Sequence, residues 1–305
     1  MPTPDKLYKY REFGNATLRM FSEATVYYAD PRTFNDPLDC DPTLKKGVTL
    51  EELEGLCRAM LEAEQERNYP AAAATRQAKA DERISYLRYM ATEVGDYRTD
   101  VKASRYYTLQ LGSEVKRLLA AEMAPRGVLS LSAKWDSSLM WSHYASGHNG
   151  ICLEFDMQGH QCQNLRKVRY SPHAIVEAGD LIQWKLHESH TAAQRVFDTY
   201  FLTKASAWKY EQEWRDVSQT TGIQPMPFRL SGIHFGLKCE HWIRASIVKL
   251  LANSPGEPDA YFEMTRIPGR SDLGRRQLDD DDIEEMKATA IRSSPLLDFH
   301  PIPGE

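Results

Sequence analysis

No run of apolar residues in the chain approaches the roughly 20 that a membrane-spanning helix needs, so no membrane partner is expected. The opening residues, MPTPDKLYKYREFG, have no apolar signal core. They read as the start of a cytoplasmic protein whose structure begins almost at once. Excess positive charge is missing too. Thirty-eight Lys and Arg stand against 43 Asp and Glu, for a net charge of −5. That argues against bulk electrostatic binding to nucleic acid and leaves room only for a local basic groove. Cysteine is sparse: the five (Cys40, Cys57, Cys152, Cys162 and Cys239) are odd in number, and no pair has zinc-site spacing. They read as small buried hydrophobes, and no metal is expected. Also absent are the Gly-x-x-x-x-Gly-Lys phosphate loop, the Gly-x-Gly-x-x-Gly dinucleotide fingerprint, the His-Glu-x-x-His zinc motif, internal repeats and low-complexity linkers.

What is present is ordinary globular material, 42% apolar and 10% aromatic, enough for a sizeable core. Residues 1–305 read as a single domain. Leu7 to Arg11 alternates as a strand, with Tyr8 and Tyr10 on one side and Lys9 and Arg11 on the other. Asn15 is placed to cap a short helix, and Thr25 to Ala29 reads as a second strand. Next comes DPRTFNDPLDCD, in which Asp-Pro steps at Pro31, Pro37 and Pro42 favour turns. From Thr49, which forms a capping-box pattern with Glu52, three helical runs extend to about Met123. This stretch, 49–124, reads as a helical insertion or cap with solvated charged faces. Beyond it, Val128 to Ser132 and Ile151 to Phe155 read as strands, and Leu165 to Tyr170 as strand-like. Gln183 to Lys204 reads as one helix, and Trp208 to Ser218, Ile247 to Leu251 and Ala260 to Arg266 as strands. A helix is expected after the acidic residues at 279–285. The fold class is α+β, a mixed sheet with helices.

Two stretches could carry chemistry. If Trp208 to Arg215 is extended, Glu211, Glu213 and Arg215 share a face at steps of about 6–7 Å. Two carboxylates so placed can divide labour, one stabilising a cationic sugar carbon and the other assisting the attacking group. The same spacing also suits an exposed sheet face with Glu–Arg pairing. In MWSHYASGHNG, Trp141 and Tyr144 fall on one helical face with His143 beside them, rings suited either to a stacking cleft or to a half-buried core. Ser132 or Ser142 with His143 lacks a Gly-x-Ser-x-Gly elbow and an orienting acid, which disfavours a serine hydrolase.

The blocks LYKYR, FNDPLDC, LSLSAKWDSSLMWSHYASGHNGICLEFD, VRYS and KASAWKYEQEWR resemble, in order and approximate spacing, the bacterial family called domain of unknown function 2971. The resemblance spans about Leu7 to Ser218. The chain is more distantly similar to the ADP-ribosyltransferase-like fold, a split mixed sheet with NAD in its cleft. That resemblance implies NAD as substrate, a small-molecule nucleotide partner, and a protein or nucleic-acid acceptor. It implies that Arg11, with Tyr10 beside it, holds the dinucleotide. Ser132 and Tyr144 are candidates for the middle role, with Trp141 or Tyr144 stacking on nicotinamide and His143 alongside. Glu213 would stabilise the ribose oxocarbenium ion, Glu211 would assist the acceptor, and Arg215 would keep Glu213 ionised or bind phosphate. A toxin or phage-defence effector is the setting such an activity implies. Two alternatives stand beside it: a metal-dependent nuclease or phosphoesterase using Asp36, Asp39, Glu154, Asp156 or Glu213, and a non-catalytic sensor or adaptor.

Overall fold

The computed structural model describes residues 3–68, 73–162, 164–270 and 272–288. The protein is α+β with mixed β-pairing, as expected. Its chain gathers into two compact units: Met1–Val26, Leu131–Gln161 and Pro225–Glu305 form the first, and Tyr27–Ser130 with Cys162–Gln224 the second. Among the described residues no helix is long and apolar enough to cross a membrane.

The first unit is built on strands Lys6–Arg11, Ile151–Asp156, Arg229–Phe235, Ala260–Arg266 and Leu273–Gln277, side by side in that order. All neighbours are antiparallel except Arg229–Phe235 and Ala260–Arg266, which are parallel. Parallel strands need a crossover, and helix His241–Leu251 supplies it. The pairings Leu7↔Phe155, Leu153↔Ile233 and Ile151↔Phe235 put one apolar row on one face. Tyr8, Tyr10, Glu154, His234, Phe262 and Arg275 fall on the other. The alternation read in LYKYR is therefore realised. Ile247 to Leu251 is not a strand. In a wider window its apolar residues continue a helical series, with Ile243, Ile247, Val248 and Leu251 all buried. A five-residue run is too short to separate the two periods. The first helix begins at Asn15 with Gly14 in the cap position and no side-chain cap bond, so Asn15 is not its cap.

The second unit packs helices Leu50–Asn68, Ala73–Thr92 and Val101–Met123 into one apolar core with Val128, Val176, Leu181, Val196, Phe201 and Val217. The capping box forms as expected: the Thr49 amide donates to Glu52 at 2.8 Å, and the Glu52 amide donates to Thr49 Oγ1 at 3.2 Å. The expected helix from Gln183 to Lys204 is two, Ala178–Lys185 and His190–Phe201. Glu188 takes a left-handed φ of 52° between them, and the Ser189 hydroxyl recaps the chain by accepting from the Ala192 amide. Thr203–Lys204 has already become a strand beside Arg169–Tyr170. Trp208 to Glu211 is not extended either: Ser206–Glu211 is a 3-10 helix, and the strand is only Glu213–Ser218. Gln212, at φ 45°, makes the bend. In the expected C-terminal helix, Asp280–Ala288 is seen; its continuation to Arg292 lies outside the described residues.

Gly150 begins the return to the Ile151–Asp156 strand. A Cβ there would overlap the Arg11 carbonyl and stand 3.0 Å from that of Ala145. Backbone cannot swing away as a side chain can. Gly150→Ala should cost about 1–3 kcal/mol, the range for overpacking, as a fall in the urea midpoint.

Candidate functional site: a buried charge cluster

In the second unit the Asp-Pro loop and the Glu-x-Glu-x-Arg segment meet. The Asp36 carboxylate accepts from the Leu38 amide at 2.9 Å, closing a turn within the loop, and from Trp208 Nε1 at 2.7 Å. That turn presents Asp39, which receives both terminal nitrogens of Arg215, at 2.9 and 2.5 Å. Arg215 Nε and Nη2 reach the two oxygens of Glu213 at 2.8 and 3.0 Å, and Nη1 also donates to the Phe201 carbonyl at 2.8 Å. A guanidinium has five N–H groups, and all five are matched. The Phe201 carbonyl closes helix His190–Phe201, an end that favours a cation.

Lys204 completes the cluster. Its ammonium lies 2.6 Å from Glu211, 3.2 Å from Glu213 and 3.6 Å from Asp39, so three carboxylates converge on one nitrogen. Glu211 reaches that point from the end of the 3-10 helix, across the bend at Gln212, and Glu213 from the start of the strand. The Glu213 amide donates to the Tyr170 hydroxyl at 2.8 Å, tying the backbone to the neighbouring strand pair. Arg215 is wholly enclosed, and Asp39, Lys204, Glu211 and Glu213 are all buried.

Burial pushes the Glu213 carboxyl upward, but Arg215, Lys204 and a hydrogen bond with Ser130 outweigh it and hold Glu213 ionised. Burial likewise opposes charge on Lys204, and Glu213, Glu211 and Asp39 overcome it. Three acidic side chains, Asp39, Glu211 and Glu213, and two basic ones, Lys204 and Arg215, are thus gathered out of contact with solvent. The donors that could have held a divalent ion there surround an ammonium instead. Among the described residues no group of three or more His, Cys, Asp or Glu is arranged for a metal.

Tyr10, Arg11, Ser132, Trp141, His143 and Tyr144 belong to the first unit. Tyr10 meets Trp141 edge-on at 5.3 Å and donates to the Lys134 carbonyl at 2.8 Å. Trp141 Nε1 donates to the Trp135 carbonyl at 2.8 Å. Both rings are buried and satisfied, so they build the wall of this unit. Ser132 lies across from Tyr8 and accepts from the Lys134 amide at 3.0 Å. Arg11 falls on the opposite sheet face from Tyr10, and its buried Nε has no hydrogen-bond partner among the described residues. His143 is exposed and Tyr144 half-buried, their rings 6.3 Å apart. Ser142 pairs not with His143 but with His148, at 3.2 Å. Among the described residues His148 Nδ1 has no hydrogen-bond partner, so none of them supplies the acid that a triad requires.

The first unit holds a second polar centre. Glu154 faces His234 at 3.3 Å, Arg275 at 3.1 Å and Ser231 at 3.1 Å. The Arg275 guanidinium packs over Trp135 and Phe262. Burial raises the Glu154 carboxyl, yet these partners bring it down to about 2. Sequence reading missed Lys204, His234, Arg275 and Trp135. For Lys204 a signal existed, a lysine one short element before the paired glutamates. For the others none did: strand register brings His234 and Arg275 together, and a loop after strand Gly127–Ser132 brings Trp135.

Residues 140–215 match the model of a family described as "Protein of unknown function (DUF2971)", within the span where the sequence resembles it. No curated protein and no solved structure matches the chain, so the ADP-ribosyltransferase-like resemblance has no counterpart among them.

Two measurements follow from these geometries. Arg215→Leu strands two buried carboxylates and should lower the unfolding free energy by roughly 3–5 kcal/mol. The Glu154 carboxyl sits near 2 when folded against an ordinary 4.5. Its contribution is therefore complete above about pH 4.5 and is lost as pH falls toward 2. Urea midpoints at pH 6 and pH 3 should differ less in Glu154→Gln than in the wild type.

Proposed function

We propose that the Glu213 cluster is the reacting centre of an enzyme that cleaves the N-glycosidic bond of NAD, passing ADP-ribose to water or to a macromolecular acceptor. The observation that carries this reading is the buried cluster of charge around an ionised Glu213. When the bond between ribose C1′ and nicotinamide breaks, the electron pair leaves with nicotinamide and positive charge develops on the ribose. A fixed carboxylate in a dry site stabilises that charge more than it stabilises the ground state. Glu213 faces the ribose, Arg215 keeps it ionised and fixed, and Glu211 takes the proton from the attacking oxygen or nitrogen as its bond to C1′ forms. Lys204 holds the two glutamates at one point. These roles involve second-unit residues alone.

A non-catalytic sensor is the second reading, favoured by the saturation of Arg215, whose five N–H groups all have partners within the chain. The readings part on one assay. Purified protein, with cell extract as acceptor, should consume NAD, and Glu213→Gln should reduce the rate by about a hundredfold or more. Both proteins are assayed well below the variant's melting temperature, which also falls because Arg215 and Lys204 lose a charged partner. A wild-type protein that neither consumes NAD nor melts higher in its presence would contradict the enzyme reading.

A further inference from the structure

The helical part of the second unit holds a cleft of about 500 Å³ beside the start of helix Val101–Met123, lined among others by Lys46, Arg98, Arg105, Ser104 and Thr108. Its size falls in the range of small-ligand sites. Elsewhere on these helices cations are matched: Arg83 and Arg117 with Glu114, Arg88 with Glu54, Lys116 with Asp41. Among the described residues Lys46, Arg98 and Arg105 form no ion pair. Asp100 also lines the cleft, but its carboxylate is engaged with the Ala103 amide at 2.8 Å.

Gly112 leaves room for the end of the Lys46 side chain. A Cβ on Gly112 would overlap Lys46 Cε and stand 3.1 Å from Nζ. Glycine is disfavoured inside a helix, and here its bare surface is what lets the lysine stem lie against the helix. Burial weakens the charged form of Lys46, as expected of an ammonium lacking an anion. Two apolar side chains in the same lining, Val101 and Leu109, are 85% and 50% exposed. Cations without an ion pair, together with hydroxyls, beside uncovered apolar surface match a ligand with a phosphate end and a flat apolar end.

We propose that this cleft binds a nucleoside polyphosphate, with Arg98, Arg105 and Lys46 on the phosphates and Val101 and Leu109 against the base. The site is separate from the Glu213 cluster and does not depend on its chemistry. The test is calorimetric titration of the full chain with ATP, tripolyphosphate, adenosine and a single-stranded oligonucleotide. ATP should bind more tightly than tripolyphosphate or adenosine. Arg98→Ala and Arg105→Ala, both at exposed positions, should each weaken ATP roughly tenfold or more, the effect of losing one charge-assisted hydrogen bond. Gly112→Ala should also weaken it, by displacing Lys46 without removing a group that touches the ligand, whereas Lys249→Ala in the first unit should not. No binding of ATP, binding indifferent to Arg98→Ala and Arg105→Ala, tripolyphosphate binding as tightly as ATP, or tighter binding of the oligonucleotide would each overturn the proposal.

Discussion

The second unit depends on the fork of Arg215. A guanidinium with no access to water is tolerable only if each of its N–H groups finds an acceptor, and here the acceptors come from three places in the sequence. Asp39 comes from the Asp-Pro loop, Phe201 from a helix end and Glu213 from the same strand. The constraint runs in both directions. The loop must turn tightly enough to present Asp39, which explains its prolines and the Asp36 turn. The helix must stop where its last carbonyl can be used.

Lys204 and Glu211 do not follow from that requirement. Arg215 against Asp39, Glu213 and the Phe201 carbonyl is already fully hydrogen-bonded. Burying a further lysine and carboxylate adds desolvation that their attraction repays only in good geometry. Clusters of strongly coupled charge in dry places are found at reacting centres as well as in structural braces. Two glutamates on either side of the bend at Gln212 meet at one nitrogen, and this favours the former. The Glu154 centre of the first unit differs in kind. Its arginine is part-exposed between aromatic rings, and its carboxylate has hydroxyl and imidazole partners on the adjacent strand and a guanidinium partner from the edge strand Leu273–Gln277. That pattern secures strand register.

Much of this was legible in the residues. The α+β class, the alternation of LYKYR, the capping box at Thr49 and the three helices after it follow from local periodicity, which sequence carries directly. The pairing of Glu213 with Arg215 was legible too, because both lie on one short strand. What sequence hid was non-local or conformational. Glu211 joins the cluster through one residue in a left-handed turn, which no propensity predicts for glutamine. The Asp-Pro loop reads as turn chemistry, and the Asp36 carboxylate does close a turn; that this turn delivers the Asp39 carboxylate to Arg215, 176 residues away, is visible only once the chain is folded. The helix break at Glu188 and the helical state of Ile247 to Leu251 failed for the same reason, since short windows do not contain the tertiary partner that decides them.

The central claim is that Glu213 is held ionised to face the ribose of NAD. The most direct measurement is a crystal structure of the protein soaked with a non-cleavable NAD analogue. The account predicts the nicotinamide ribose within hydrogen-bond distance of the Glu213 carboxylate, with Arg215 still paired to Asp39. An analogue bound away from Glu213, with the cluster closed and unchanged, would contradict it and leave the five charges as a brace.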